Sequence, residues 1–251
     1  MHDVSRADYF FELFRDLPQQ GPGSDASTAR ALALLDELGA APRILDVGCG
    51  SGRQTLVLAE RTGGEVVAVD VHEESLDRLR RAADERGLAA RIDVRVMSME
   101  ALDFAPASFD LIWSEGAIYH LGFGAGLEAW RPLLREGGLL AVSELTWTRE
   151  PPPPRVADYF ATAYPGMGSL ASNRRRTVAA GYVPVGGFVL PEEDWWHGYY
   201  TELESRVAAR RPEATDEDEL AVLREIEEEI DVFRRREGSY DYVFYLMRRG
   251  G

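Results

Sequence analysis

Cysteine occurs once in this sequence, at Cys49, and lysine does not occur at all. A lone cysteine forms no internal disulfide and excludes a Cys-rich zinc site, so no metal centre is expected. No apolar run approaches the roughly 20 residues that span a bilayer. Met1 to Arg6 leads into no apolar segment of the kind a secretion signal carries, so the expected compartment is the cytoplasm. Positive charge is scarce too: 28 basic residues face 43 acidic ones, a formal net charge of −15. A field of that sign repels a phosphate backbone and disfavours nucleic acid as a substrate. The acidity itself reads as solubility. With 251 residues, 45% of them apolar, the chain can bury a real core as one large domain.

From Arg43 onward the pattern alternates strand and helix. Short β-branched runs predict strands at 43–48, 65–70, 92–97, 109–114 and 138–146, with helices at 53–62, 74–86 and 125–135. Such alternation predicts βαβ units and a parallel sheet covered on both faces. Before it, residues 8–17 read as a short amphipathic helix, and Ser27 or Thr28 as the cap of a helix from Ala29 to Leu38. After Trp147 the rhythm breaks at "REPPPPR", a stiff connector. Helical and loop-like residues 156–180 follow, then a strand at 182–190. A long acidic helix at 213–237 carries Leu220, Leu223, Ile226, Ile230 and Phe233 at spacings of three and four. The aromatic run "YDYVFYLMRR" closes the chain as a strand.

The first strand ends in "ILDVGCGSG", three glycines in five positions. A strand, a glycine-rich turn and a helix N-terminus together present backbone N–H groups to a ligand. The dinucleotide fingerprint Gly-x-Gly-x-x-Gly would need a third glycine where Arg53 stands, and no Gly-Lys-Ser/Thr of a P-loop follows. Asp70 ends the second strand about twenty residues on, where an acidic residue can receive a ribose diol. Ser98 and Met99 follow the third strand, and a flat apolar side chain with free backbone donors suits an adenine ring. "FDLIWSEGAIYHLGF" (109–123) ends the fourth strand beside the first. Ligands of open α/β sheets bind at those carboxyl ends.

These residues resemble the class I S-adenosylmethionine-dependent methyltransferases. The motifs "ILDVGCGSG", "VVAVD", "SMEALDF", "FDLIWSEGAIYHLGF" and "LLREGGLLAVSE" stand in that family's order over roughly 28–147. "WSEGAIY" is similar to bacterial small-molecule members of the ubiquinone/menaquinone-biosynthesis type. The resemblance implies a Rossmann-like α/β fold: a seven-stranded, mostly parallel sheet with an antiparallel last strand and helices on both faces. It implies one domain, with an N-terminal helical flap at 1–40, a cofactor-binding core at 41–147, and a lid insertion with closing strands at 148–251. It assigns Asp46, Gly48 and Gly50 to the methionine moiety of S-adenosylmethionine, Asp70 to the ribose hydroxyls, and Ser98 and Met99 to the adenine. Ser114 stands where a backbone carbonyl holds the cofactor's amino group. The family often has Asp where Ser98 stands. The flap is expected to close over the methionine end, with Thr28 or Ser27 near it.

Methyl transfer from a sulfonium is an in-line displacement, for which the enzyme supplies alignment, exclusion of water and sometimes a base. The expected acceptor is a small metabolite, methylated on O, N, S or C, with S-adenosylhomocysteine as the other product. Candidate catalytic groups cluster after the fourth strand: His120, whose imidazole titrates near working pH, Glu115 and Tyr119. Each also has a bland reading, as a cap, a backbone-bonding carboxylate or a pocket wall. Glu144 is a weaker candidate at the same rim. Arg174–Arg176 read as a solvated helix face. Two other function classes stay open: a non-catalytic cofactor-binding or sensor protein on the same fold, and a nucleotide-cofactor oxidoreductase, which Arg53 disfavours.

Overall fold

The computed structural model describes residues 5–15, 17–35 and 38–251. Met1 to Val4, on which the leader reading rests, and residues 16, 36 and 37 of the two expected N-terminal helices lie outside the described residues.

Strand β1 (Arg43–Val47) is buried on both faces, with Ile44, Leu45 and Val47 fully enclosed. That is why its sequence is a continuous apolar run rather than an alternation. It pairs in parallel with β2 (Glu65–Asp70) on one side and β4 (Phe109–Glu115) on the other. Strand β3 (Ile92–Val96) extends the sheet beyond β2, and β5 (Leu134–Trp147) beyond β4. Two closing strands, β7 (Tyr182–Val189) and β8 (Tyr240–Arg249), pair antiparallel. The order is β3-β2-β1-β4-β5-β8-β7, and a two-residue β6 (Gly168–Ser169) lies beside β5 as an eighth strand. The seven expected strands are all present.

Helices α2 (Asp25–Ala33), α3 (Arg53–Arg61) and α4 (Glu73–Glu85) cover one face, where Ala31, Leu56, Leu76 and Leu79 meet Ile44, Val66 and Leu111. On the other face Phe123, Leu127 and Trp130 of α5 (Phe123–Trp130) meet Leu45, Val67 and Ile112. Helix α7 (Leu170–Ala179) is stapled to the sheet by Asn173, whose amide donates to Thr146 Oγ1 at 3.3 Å and Tyr245 Oη at 3.2 Å. Asn173 Oδ1 accepts from Arg176 at 3.0 Å, so that arginine serves the fold.

Two local expectations are corrected. Helix α2 starts four residues early, because Ser24 is the cap and accepts from Ser27 N at 3.1 Å. Ser27 and Thr28 instead bury their side chains in its first turn. Strand β5 begins at Leu134, paired with Phe109, and resumes after an irregularity that Gly137 in the left-handed region permits.

The chain forms two compact units. The sheet unit comprises Gly23–Thr148, Gly166–Leu190 and Asp241–Gly251. The second, Met1–Pro22, Arg149–Pro165 and Pro191–Tyr240, is helical. The segment read as one flap therefore divides, with α1 (Arg6–Phe14) in the helical unit and α2 in the sheet unit. The helical unit also holds α6 (Pro154–Ala163), α8 (Glu193–Trp195), α9 (Thr201–Arg210) and α10 (Glu217–Arg234). Asp216 caps α10, accepting from Asp218 N and Glu219 N, and Glu217–Glu219 add favourable charge to its first turn. Helices α8 and α9 flank a break at His197 and Gly198; that aromatic stretch gave no readable period. Its rings build the unit's core, with Trp195 stacked on Phe233 at 4.4 Å.

Candidate functional site

The glycine turn after β1 folds back on β2: Gly48 N and Cys49 N both donate to Val69 O, at 2.9 and 3.1 Å. Gly48, Gly50 and Gly52 all lie in the left-handed region, at φ 70°, 53° and 82°. Space matters as much as torsion. A Cβ on Gly48 would sit 2.5 Å from Ala117 Cβ and 3.4 Å from Met99 Cε, so the segments after β1, β3 and β4 converge on it. A Cβ on Gly52 would stand 2.2 Å from Leu79 on α4. Gly52 thus does the close helix packing that the dinucleotide fingerprint gives to its third glycine.

Asp70, at the tip of β2, faces the same turn. Its Oδ2 accepts from Gly50 N and its Oδ1 from His72 N, each at 2.9 Å. Each oxygen keeps a lone pair for another donor. Beyond β3, Met97 N donates to Asp70 O at 2.9 Å, which brings the Ser98–Met99 turn beside it. Ser98 Oγ accepts from Glu100 N at 3.2 Å, leaving its hydroxyl hydrogen to donate outward. Ser114 is fully buried, and its hydroxyl donates to Val47 O at 2.9 Å, locking β4 to β1.

Asp46 is enclosed and turned toward α3. Thr55 donates to it at 2.5 Å and Gln54 at 3.4 Å. Burial, with a smaller contribution from the Glu115 charge, pushes its carboxyl up to about 7 against the opposing Thr55 bond. It positions the turn from behind.

Between about pH 4 and 7 the folded protein therefore binds the proton that the unfolded chain has released. Stability from this group is full at low pH and falls as pH rises through that window. Asp46→Asn is expected to match the parent near pH 4 and to exceed it by about 3–4 kcal/mol at pH 8, read from urea unfolding. Parallel pH profiles for the two proteins would remove that role.

Glu115 does not face an open pocket. Its Oε1 accepts from Thr28 at 2.7 Å and from the Trp113 indole at 2.8 Å, and its Oε2 pairs with Arg53 at 2.6 Å. The side chain is 5% exposed. Arg53 also donates to Thr28 at 3.2 Å and Asp25 at 3.4 Å. A Cβ on Gly23 would press on Arg53 at 2.8 Å, so the chain entering α2 is fitted to this pair. Glu115 is thus a carboxylate that ties α2, α3 and β4 together.

Tyr119 and His120 end a 3₁₀ turn after β4, exposed, with ring centroids 4.1 Å apart. Partial burial lowers the His120 pKa, which favours the neutral imidazole; Asp70 opposes that shift and His72 adds to it. Those two neighbours put His120 on the Asp70 side of the turn. Glu144 is buried within β5, one residue beyond Ser143, which pairs with Glu115 at the carboxyl end of β4. Burial raises the Cys49 thiol well above its ordinary range, which makes it unreactive. The partnership of Arg53 and Glu115 joins residues 62 apart in sequence, and no local pattern signals it.

Residues 44–138 match the family model described as a methyltransferase domain. Those residues carry a methyltransferase domain. A ubiquinone biosynthesis O-methyltransferase of Cereibacter sphaeroides is 34% identical over 140 residues, 53% of this chain and 56% of that protein. A dimethylglycine N-methyltransferase of Parasynechococcus marenigrum is 34% identical over 122 residues, 48% of this chain and 44% of that one. The chain matches about half the length of these curated relatives. In fold, it is similar to YjhP from E. coli, with a TM-score of 0.82 at 18% identity, covering 95% of this chain and 98% of that one. Geranyl diphosphate C-methyltransferase from Streptomyces coelicolor, solved with S-adenosylhomocysteine, gives 0.62 at 21% identity, covering 89% and 76%.

The methyltransferase domain's own residues fit that family's cofactor. Gly48 leaves a cradle that any side chain would fill, and Asp70 holds a carboxylate edge beside it. Among the described residues there is no cluster of three or more metal-ligating side chains, and no helix is long and apolar enough to cross a membrane.

Proposed function

We propose that this chain is a cytoplasmic enzyme that moves a methyl group from S-adenosylmethionine to an O, N, S or C atom of a small metabolite. The observation that carries the reading is the convergence of Gly48, Met99 and Ala117 beside Asp70 at the carboxyl ends of β1, β2, β3 and β4. When bound, the cofactor supplies an electrophilic methyl group, and the protein's work is placement. The glycine turn, open at Gly48, receives the methionine end, with Asp46 holding that turn in shape. Asp70 accepts from the ribose hydroxyls, and Ser98 with Met99 lines the adenine. Ser114 fixes the end of β4, where its carbonyl meets the cofactor's amino group. The relatives' names differ in acceptor atom, one an O- and the other an N-methyltransferase, so the acceptor atom stays open. The net charge of −15 argues against a polyanionic acceptor.

His120 we place at the cofactor's ribose rim, with Tyr119 as a wall beside it, because Asp70 and His72 are its charged neighbours. His120→Ala is expected to weaken S-adenosylhomocysteine binding several-fold and to lower turnover less than about tenfold. General-base catalysis contributes ~10²–10⁴-fold. A loss of that size at unchanged cofactor affinity would return His120 to the role of base.

Enzyme and sensor are separated by turnover. Incubated with methyl-labelled S-adenosylmethionine and a small-molecule extract, the enzyme passes label to a metabolite and releases S-adenosylhomocysteine stoichiometrically. Tight cofactor binding without label transfer to any fraction would favour the sensor.

A further inference from the structure

Side chains on a strand alternate between the two faces of the sheet. On the α3 face, Leu111 and Trp113 of β4, Leu139 and Ala141 of β5, and Leu246 and Phe244 of β8 all enter the apolar core. Trp113 and Phe244 meet with ring centroids 5.8 Å apart. Two residues further along each strand, on the same face, the row turns polar: Glu115, Ser143 and Tyr242. Two of the three have their work in the fold. Glu115 pairs with Arg53, and Ser143 Oγ accepts from Gly116 N at 2.8 Å.

Tyr242 is half-buried, with its ring packed against the core. A Cβ on Gly116 would stand 3.6 Å from the Tyr242 hydroxyl oxygen. Gly116 lies in the left-handed region at φ 59°, and the next residue, Ala117, is the one that closes on Gly48. The hydroxyl therefore stands beside the segment that walls the glycine turn. Tyr245, on the same strand, serves the fold instead. It lies on the opposite face, and its hydroxyl bonds Asn173 at 3.2 Å and Thr146 at 3.1 Å.

The strand order gives the position of Tyr242 a meaning. Asp70, on β2, lies to one side of the glycine turn, and Tyr242, on β8, lies to the other, beyond β4 and β5. With the ribose at Asp70 and the methionine end at Gly48, a methyl acceptor comes from the β5–β8 side. We infer that Tyr242 binds that acceptor: its hydroxyl oxygen accepts from the N–H or O–H of the incoming nucleophile beside Gly116. A phenol hydroxyl both donates and accepts, so it can serve a neighbour in the fold and still receive that hydrogen. The contact turns the nucleophile's lone pair toward the methyl carbon, which is alignment rather than proton removal. The acceptor class that follows is an amine or a hydroxyl compound. This inference rests on the methyltransferase reading, and its test keeps the two apart.

Sinefungin carries an amine on carbon where S-adenosylmethionine carries its methyl on sulfur, so its N–H groups probe the acceptor side directly. S-adenosylhomocysteine has neither group there. Calorimetry of the full chain compares the two. Tyr242→Phe keeps the packed ring and is expected to weaken sinefungin at least about fivefold, the loss of one hydrogen bond. S-adenosylhomocysteine affinity and the melting temperature are expected to stay at the parent's values. Tyr245→Phe is expected to leave the ratio of the two affinities unchanged. Parental sinefungin affinity in folded Tyr242→Phe, or an equal loss for both ligands, would overturn the assignment. A parent protein that binds no S-adenosylhomocysteine would instead overturn the methyltransferase reading itself.

Discussion

Glu115→Ala is expected to destabilise the protein by about 3–5 kcal/mol, the cost of stranding one member of a buried ion pair. The substitution leaves Arg53, the Trp113 indole N–H and the Thr28 hydroxyl without their shared acceptor. Three elements lose their tie at once, since these partners sit on α3, β4 and α2. At this chain length each kcal/mol moves the melting temperature by roughly 2–4 °C, so a drop near 10 °C or more is expected. Glu115→Gln keeps an acceptor for Thr28 and Trp113 but loses the charge and the acceptor of Arg53, and it should fall between Glu115→Ala and the parent. A melting temperature unchanged in Glu115→Ala would mean that the network merely decorates a fold held elsewhere.

The other large effect is on binding. Asp70→Ala should weaken S-adenosylhomocysteine by 100-fold or more. Hydrogen bonds to a charged group contribute about 1.5–3 kcal/mol each, and the ribose offers two hydroxyls. The variant also frees Gly50 N, so the glycine turn loosens where the methionine end is received. Asp70→Asn retains one acceptor oxygen and should lie between alanine and the parent. Parental affinity in a folded Asp70→Ala protein would show that the ribose is held by other groups.

Why some of this was legible in the sequence and some was not follows from the range of the interactions. Strands β1, β2 and β4 declare themselves as short apolar runs closed by Gly, Asp or Ser and β3 as an alternation of apolar and charged residues, and the parallel order of β1 to β3 follows from the helices α3 and α4 between them. Asp70 and the glycine turn are legible for the same reason: their relation is local to one βαβ unit. The start of α2 was misplaced because Ser24, Ser27 and Thr28 are all good caps, and only the buried side of the helix chooses among them. Glu115 looked catalytic because its partners, Thr28 and Arg53, come from elements 87 and 62 residues away. Asp46 looked like a ligand-facing carboxylate because it precedes the turn, yet the strand's alternation directs it to Thr55 and Gln54. The helical unit was least legible. Its core is a cluster of rings gathered across the break at His197 and Gly198, and such a cluster has no period.

Calorimetric titration of the full chain with S-adenosylhomocysteine, beside NAD under the same conditions, tests the central claim most directly. The convergence at Gly48 and the carboxylate of Asp70 predict one saturable site for S-adenosylhomocysteine and no comparable binding of NAD. Tighter binding of NAD, or no binding of S-adenosylhomocysteine by the folded protein, would contradict the account.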